Sequence, residues 1–106
     1  MVKRGEIWLA ALNPTVGSEI QKTRPCVIVS PAEMHDYLKT VIVAPMTTGS
    51  KPAPYRIPVT FRKKMGLILL DQIRTLDKIR LVKKMGTTTD KTLTDVLHTL
   101  QEVFTE

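Results

Sequence analysis

Arg24 stands directly before Pro25 at the head of a short apolar run, RPCVIVS. A residue that precedes proline is held out of the helical region, so this arginine has an extended, anchored backbone and a guanidinium that is aimed rather than left free. A fixed guanidinium suits phosphate, carboxylate or a developing oxyanion. Just upstream, Asn13, Thr15, Ser18, Glu19, Gln21, Lys22 and Thr23 crowd one loop around Gly17. Taken alone, such a stretch is more often a surface connection than a site. Asp71 and Gln72 interrupt the apolar segment LILLDQIRT, where a carboxylate must face solvent, meet a donor or carry a raised pKa.

Other chemistries lack their residues. His35 and His98 are far apart and neither has a partner at metal-ligand spacing, so both read as solvated histidines and no metal site is expected. There is no glycine-rich phosphate loop and no nucleophile elbow, which leaves no cofactor implied. Cys26 is the single cysteine, so an intramolecular disulfide framework is excluded and a reducing compartment fits. The apolar stretch after Lys3-Arg4 is short and broken by Glu6, unlike a signal-peptide core, and no run reaches membrane-spanning length. A cytoplasmic protein is expected, with no membrane partner.

The elements that must position these residues are short. With 106 residues, one domain is expected, spanning 1–106. Gly5 to Leu12, Arg24 to Ser30, Lys39 to Met46, Tyr55 to Phe61, Leu67 to Thr75 and Ile79 to Lys84 read as strands, and Pro58 marks its strand as an edge or a bulge. Residues 32–38 have room for a turn or two of helix. Leu93, Val96, Leu97, Leu100, Val103 and Phe104 form one helical stripe, with Thr89 or Asp90 placed to cap it. Trp8 and Phe104 read as core residues. Closely spaced strands and one amphipathic helix point to a mainly β fold, a small barrel of antiparallel strands with a C-terminal α-helix.

The formal charge is +6, from 16 Lys+Arg against 10 Asp+Glu. Nearly all the excess lies in residues 61–86, where Arg62, Lys63, Lys64, Arg74, Lys78, Arg80, Lys83 and Lys84 face only Asp71 and Asp77. Such a segment favours a polyanion, nucleic acid being the commonest, although an acidic protein or plain solvent also satisfies it.

Three ordered segments, RGEIWLAALNPTVGSEIQKTRPCVIVSP, VIVAPMTTGSK and LILLDQIRTLDKIRL, closely resemble the MazF/PemK (Kid) family of bacterial toxins. The resemblance runs from about Lys3 into the C-terminal helix. It implies an SH3-like (PemK/CcdB-type) barrel, a homodimer, and a metal- and ribosome-independent endoribonuclease that cuts single-stranded RNA at a short sequence. It also implies a cognate antitoxin whose acidic C-terminal segment fills the RNA groove. By position, Arg24 matches the family's catalytic arginine and Thr47 its catalytic threonine. Glu19 and Ser18 match the loop that contacts substrate, Asp71 and Gln72 match positions that read or hold RNA, and Asn13, Lys22 and Thr48 are groove residues. Departures are local: Ile20-Gln21-Lys22 stands where many members have Gln-Gln-Gly, and Ser18 and Leu69 stand where some carry histidine and arginine.

The chemistry that the resemblance implies uses the RNA's own 2′-hydroxyl as nucleophile. Arg24 then offsets charge on the phosphate, Thr47 hydrogen-bonds it, and Glu19 is the nearest candidate for a general base. Two other readings share the barrel. CcdB-type gyrase poisons depend on a C-terminal Trp-Gly-Ile, whereas this chain ends Val-Phe-Thr-Glu; the other alternative is a non-catalytic RNA-binding barrel.

Overall fold

Strand β3 (Thr40–Thr47) organises the sheet, because it pairs with three other strands. The computed structural model describes all 106 residues. In chain order, β1 (Glu6–Ala11), β2 (Thr23–Ile28), a short helix α1 (Ala32–His35), β3, β4 (Arg56–Phe61), β5 (Lys64–Leu69), β6 (Arg74–Asp77), β7 (Leu81–Thr87) and helix α2 (Asp90–Val103) follow one another. All pairings are antiparallel, in the order β4-β5-β3-β2-β1-β7 with β6 also on β3. The result is a half-barrel with the helix against it. No helix is long and apolar enough to cross a membrane.

The central strands bury both faces. Val27, Ala44 and Met46 join Ile7, Ile68, Leu70 and the helix residue Val96 in one cluster. The alternate residues Cys26, Ile28, Val41 and Val43 join Ala10, Leu12 and Leu76 in a second. That is why Cys26 to Val29 is an unbroken apolar run: with a period of two and two buried faces, neither parity can be polar there. Burial also pushes the Cys26 thiol up to about 12, against a smaller pull from Arg74 and Arg24.

Several expectations need correction. LILLDQIRT is not one strand: β5 stops at Leu69, Leu70–Gln72 forms a 3₁₀ turn, and β6 begins at Arg74. The cause is the register, since Ile68 faces Met46 while Arg74 faces Val43 on the same edge of β3. The surplus residues must leave the ladder. Ile79 likewise sits in a 3₁₀ turn before β7. Phe104 is 73% exposed, because the apolar stripe outruns the sheet it covers. His35 is buried: its Nδ1 lies 2.9 Å from the Val2 carbonyl, which only accepts, and its Nε2 lies 2.6 Å from the Ser30 hydroxyl. The Nδ1–H tautomer satisfies both. Pro58 does lie on an edge strand, and Thr89 caps α2 by accepting from the Thr92 amide at 3.2 Å.

Glu6 ties the first strand to the last. Its carboxylate accepts from the Lys3 amide at 2.9 Å and the Trp8 indole at 3.1 Å, and pairs with Lys84 of β7 at 2.9 Å. Burial pushes this carboxyl upward, but the bonds from Lys84, Lys3 and Trp8 outweigh it and hold the pKa below its ordinary value of 4.5. Folding therefore favours the ionised form, so its stabilisation is full above that value and is lost as pH falls through the lowered one. Glu6→Gln is expected to lose about 1–3 kcal/mol at neutral pH. In urea titrations the gap from the parent protein should close below pH 4.5.

Candidate functional site

Arg24 enters β2 opposite Ala10, and Pro25 follows it opposite Leu9. Its Nε donates to the Gln21 carbonyl at 2.9 Å and its Nη1 to the Thr47 hydroxyl at 3.4 Å. The guanidinium is thus fixed on one edge and presents its remaining N–H groups outward. Thr47 ends β3, and its hydroxyl oxygen also accepts from the Gly49 amide at 3.3 Å. With two donors on that oxygen, the hydroxyl hydrogen is free to point at an incoming oxygen. A cation and a neutral donor therefore sit side by side.

These two residues and Thr48 line a cleft of about 370 Å³, at the small end of ligand pockets. Pro25, Met46, Val59, Phe61 and Met85 give it an apolar lining, to which Arg62 and Lys64 add charge. Gly66 of β5 makes this close approach feasible. A Cβ there would lie 2.6 Å from the Thr47 carbonyl oxygen, well inside van der Waals contact.

A second depression, of about 340 Å³, is lined by Glu19, Ile20, Asp71, Gln72, Ile73 and Arg74. The 3₁₀ turn and the first loop meet here, since Gln72 Oε1 accepts from the Ile20 amide at 2.7 Å. Glu19 folds back on its own loop, accepting from the Val16 amide at 3.0 Å. Asp71 fulfils two of the three outcomes open to it, since it faces solvent and also meets a donor. Arg56 of β4 grips it in a two-pronged pair at 3.1 and 3.0 Å. That bonding to Arg56 holds the Asp71 carboxyl below its ordinary range and raises the arginine in return.

Asn13 and Lys22 close the base of the loop, where Asn13 Oδ1 accepts from the Lys22 amide at 3.1 Å and Leu12 donates to the Lys22 carbonyl. Arg80 reaches the carbonyls of Ala11 and Asn13, and Arg74 that of Leu12. Ser18 is exposed near the loop tip. The structure thus gathers Arg24, Thr47 and Thr48 in one cleft, Glu19, Asp71 and Gln72 in the other, and Asn13 and Lys22 at the loop base. Sequence reasoning missed the rest of the lining of the first cleft, including Phe61, Arg62, Lys64, Gly66 and Met85. The Phe-Arg-Lys-Lys run was a usable signal; the approach of Gly66 to Thr47 left none. No group of three or more His, Cys, Asp or Glu side chains converges in the fold.

Residues 3–104 match the family described as PemK-like, MazF-like toxin of type II toxin-antitoxin system. The chain belongs to that family. A curated relative, Endoribonuclease MazF of Staphylococcus epidermidis, is 39% identical across 94% of this chain and 88% of its own. Among solved structures, MazF from Deinococcus radiodurans superposes with a TM-score of 0.86 at 22% identity, covering 96% of this chain and 94% of the other. A mycobacterial endoribonuclease in complex with its cognate antitoxin follows the same fold at a TM-score of 0.80 and 21% identity, over 96% and 93% of the two chains. The SH3-like PemK/MazF-type half-barrel is therefore the fold of this toxin.

Thr47 depends on Gly66 for its place in this toxin fold. Gly66→Ala is expected to destabilise the protein by about 1–3 kcal/mol through overpacking. Amide chemical shifts should move at Thr47 to Gly49 and stay in place along α2, which a general loosening would not produce.

Proposed function

We propose that this toxin is a sequence-specific endoribonuclease that cleaves single-stranded messenger RNA without the ribosome and without a metal, arresting translation and growth. The observation that carries the reading is the Arg24–Thr47 pair, a pinned guanidinium and a hydroxyl with a free proton at the edge of one cleft. The identity to a relative named as an endoribonuclease supports ribonuclease activity. The basic segment 61–86 supports a polyanionic substrate.

The ribose 2′-oxygen attacks the adjacent phosphorus, forming the O2′–P bond as the P–O5′ bond breaks. A 2′,3′-cyclic phosphate and a 5′-hydroxyl result. The 2′-hydroxyl proton leaves to a base and a proton reaches the departing 5′-oxygen. Negative charge grows on the non-bridging oxygens, where Arg24 provides preorganised N–H donors and Thr47 an O–H donor. Glu19 is the candidate base. Because it lines the depression of Asp71 and Gln72 rather than the cleft, recognition of a base edge is its second reading. Ser18, Asn13, Lys22 and Thr48 hold the RNA beside them. The toxin works as a homodimer and is silenced by an antitoxin whose acidic C-terminal segment occupies the same grooves.

Arg24→Ala, purified folded, is expected to cut a long transcript in EDTA about 100- to 1,000-fold more slowly than the parent. Undiminished cleavage removes Arg24 from the mechanism, and binding without cleavage by the parent points to a non-catalytic RNA-binding barrel. Gyrase inhibition alone points to a CcdB-like poison. For Glu19→Ala, a slower rate at the same mapped site assigns the base. A changed site at the same rate assigns recognition.

A further inference from the structure

The turn between β4 and β5 is built from residues that do not suit it. Phe61 faces Lys64 in the ladder, so Arg62 and Lys63 form a two-residue hairpin connection, and their φ angles are 51° and 65°. Both positions therefore need the left-handed region, for which Asn-Gly is the favoured pair. Long side chains there are strained, and strain retained at a surface turn points to work done by the side chains.

The Arg62 side chain, although exposed, also has fixed contacts. Its Nη2 donates to the Met85 carbonyl of β7 at 3.0 Å, and its Cζ lies 5.3 Å from the centre of the Phe61 ring. Phe61 in turn lies against Gly86, where a Cβ would come within 3.2 Å of the ring. Arg62 thus lines the same cleft as Arg24 and Thr47, together with Val59 and Phe61. Two anchored guanidinia and an apolar lining in one cleft offer the groups that bind phosphates and a nucleoside.

We infer that Arg62 is a second phosphate-binding residue, holding a phosphate that flanks the scissile one while the intervening nucleoside lies over Val59 and Phe61. This rests on the ribonuclease reading above. Arg62 touches no reacting atom and positions the strand through its neighbouring phosphate. The competing account is purely structural, with Arg62 serving only to fasten the half-barrel's free edges, β4 and β7.

Replacing the turn, Arg62→Asn with Lys63→Gly, separates these accounts. The paired variant is expected to melt higher by roughly 4–8 °C, because the turn is relieved. Its kcat/KM on a single-stranded transcript should fall about tenfold, carried by KM, as expected for loss of a charge-assisted contact. In an Arg24→Ala background, fluorescence anisotropy of a single-stranded oligonucleotide should show weaker binding, with a salt slope shallower by about 0.7 for one lost phosphate contact. Arg62→Lys should keep part of the affinity and, with the turn unrelieved, gain nothing in melting temperature. A lower melting temperature with unchanged KM and salt slope establishes the structural account and overturns the inference, as does loss restricted to inhibition by an acidic peptide. If the parent protein neither binds nor cuts RNA, the underlying reading fails instead.

Discussion

One edge of β3 serves two strands. β5 takes its last residues and β6 its first, and the rest of the site follows from the mismatch between them. The chain cannot stay in the ladder from Ile68 to Arg74, so Leu70–Gln72 leave it as a 3₁₀ turn. That turn buries Leu70 in the main core and projects Asp71 and Gln72 outward. Gln72 then receives the Ile20 amide, and Asp71 receives Arg56. At the other end of the shared edge, β5 presses against Thr47 through Gly66. Both depressions are therefore consequences of how β3 divides its partners.

Much of this was legible in the residues. Arg24 could be picked out because proline fixes the backbone beside it, and the structure adds the two hydrogen bonds that hold its side chain. The helix was legible from its stripe and cap, except where the stripe outruns its sheet at Phe104. Asp71 was legible only as an oddity: nothing in LILLDQIRT reveals that β3 changes partner midway, since that depends on the pairing of segments far apart in the chain. His35 escaped for the same reason. Its burial depends on Ser30 and the Val2 carbonyl, and no local pattern brings those three together.

Charge in this molecule comes in two kinds. Lys63 is exposed, Lys83 also faces water, and such ammonium groups contribute a diffuse field that salt weakens. Arg24, Arg56, Arg62, Arg74 and Arg80 each hold a carbonyl, a hydroxyl or a carboxylate. The planar fork lets an arginine keep one partner while offering N–H groups to another. The unpaired lysines attract and these arginines locate.

The pairing of β1 with β7 bears on the chain's first moments. The amino-terminal strand has no partner on that edge until Leu81–Thr87 exist, and Glu6 has no Lys84. Met85, which lines the cleft, belongs to the same late segment, and α2, which seals the main core through Val96, comes later still. A chain emerging from its own ribosome is therefore incomplete at the cleft until β7 has been made. The order of the strands couples assembly of the cleft to the arrival of its seventh strand.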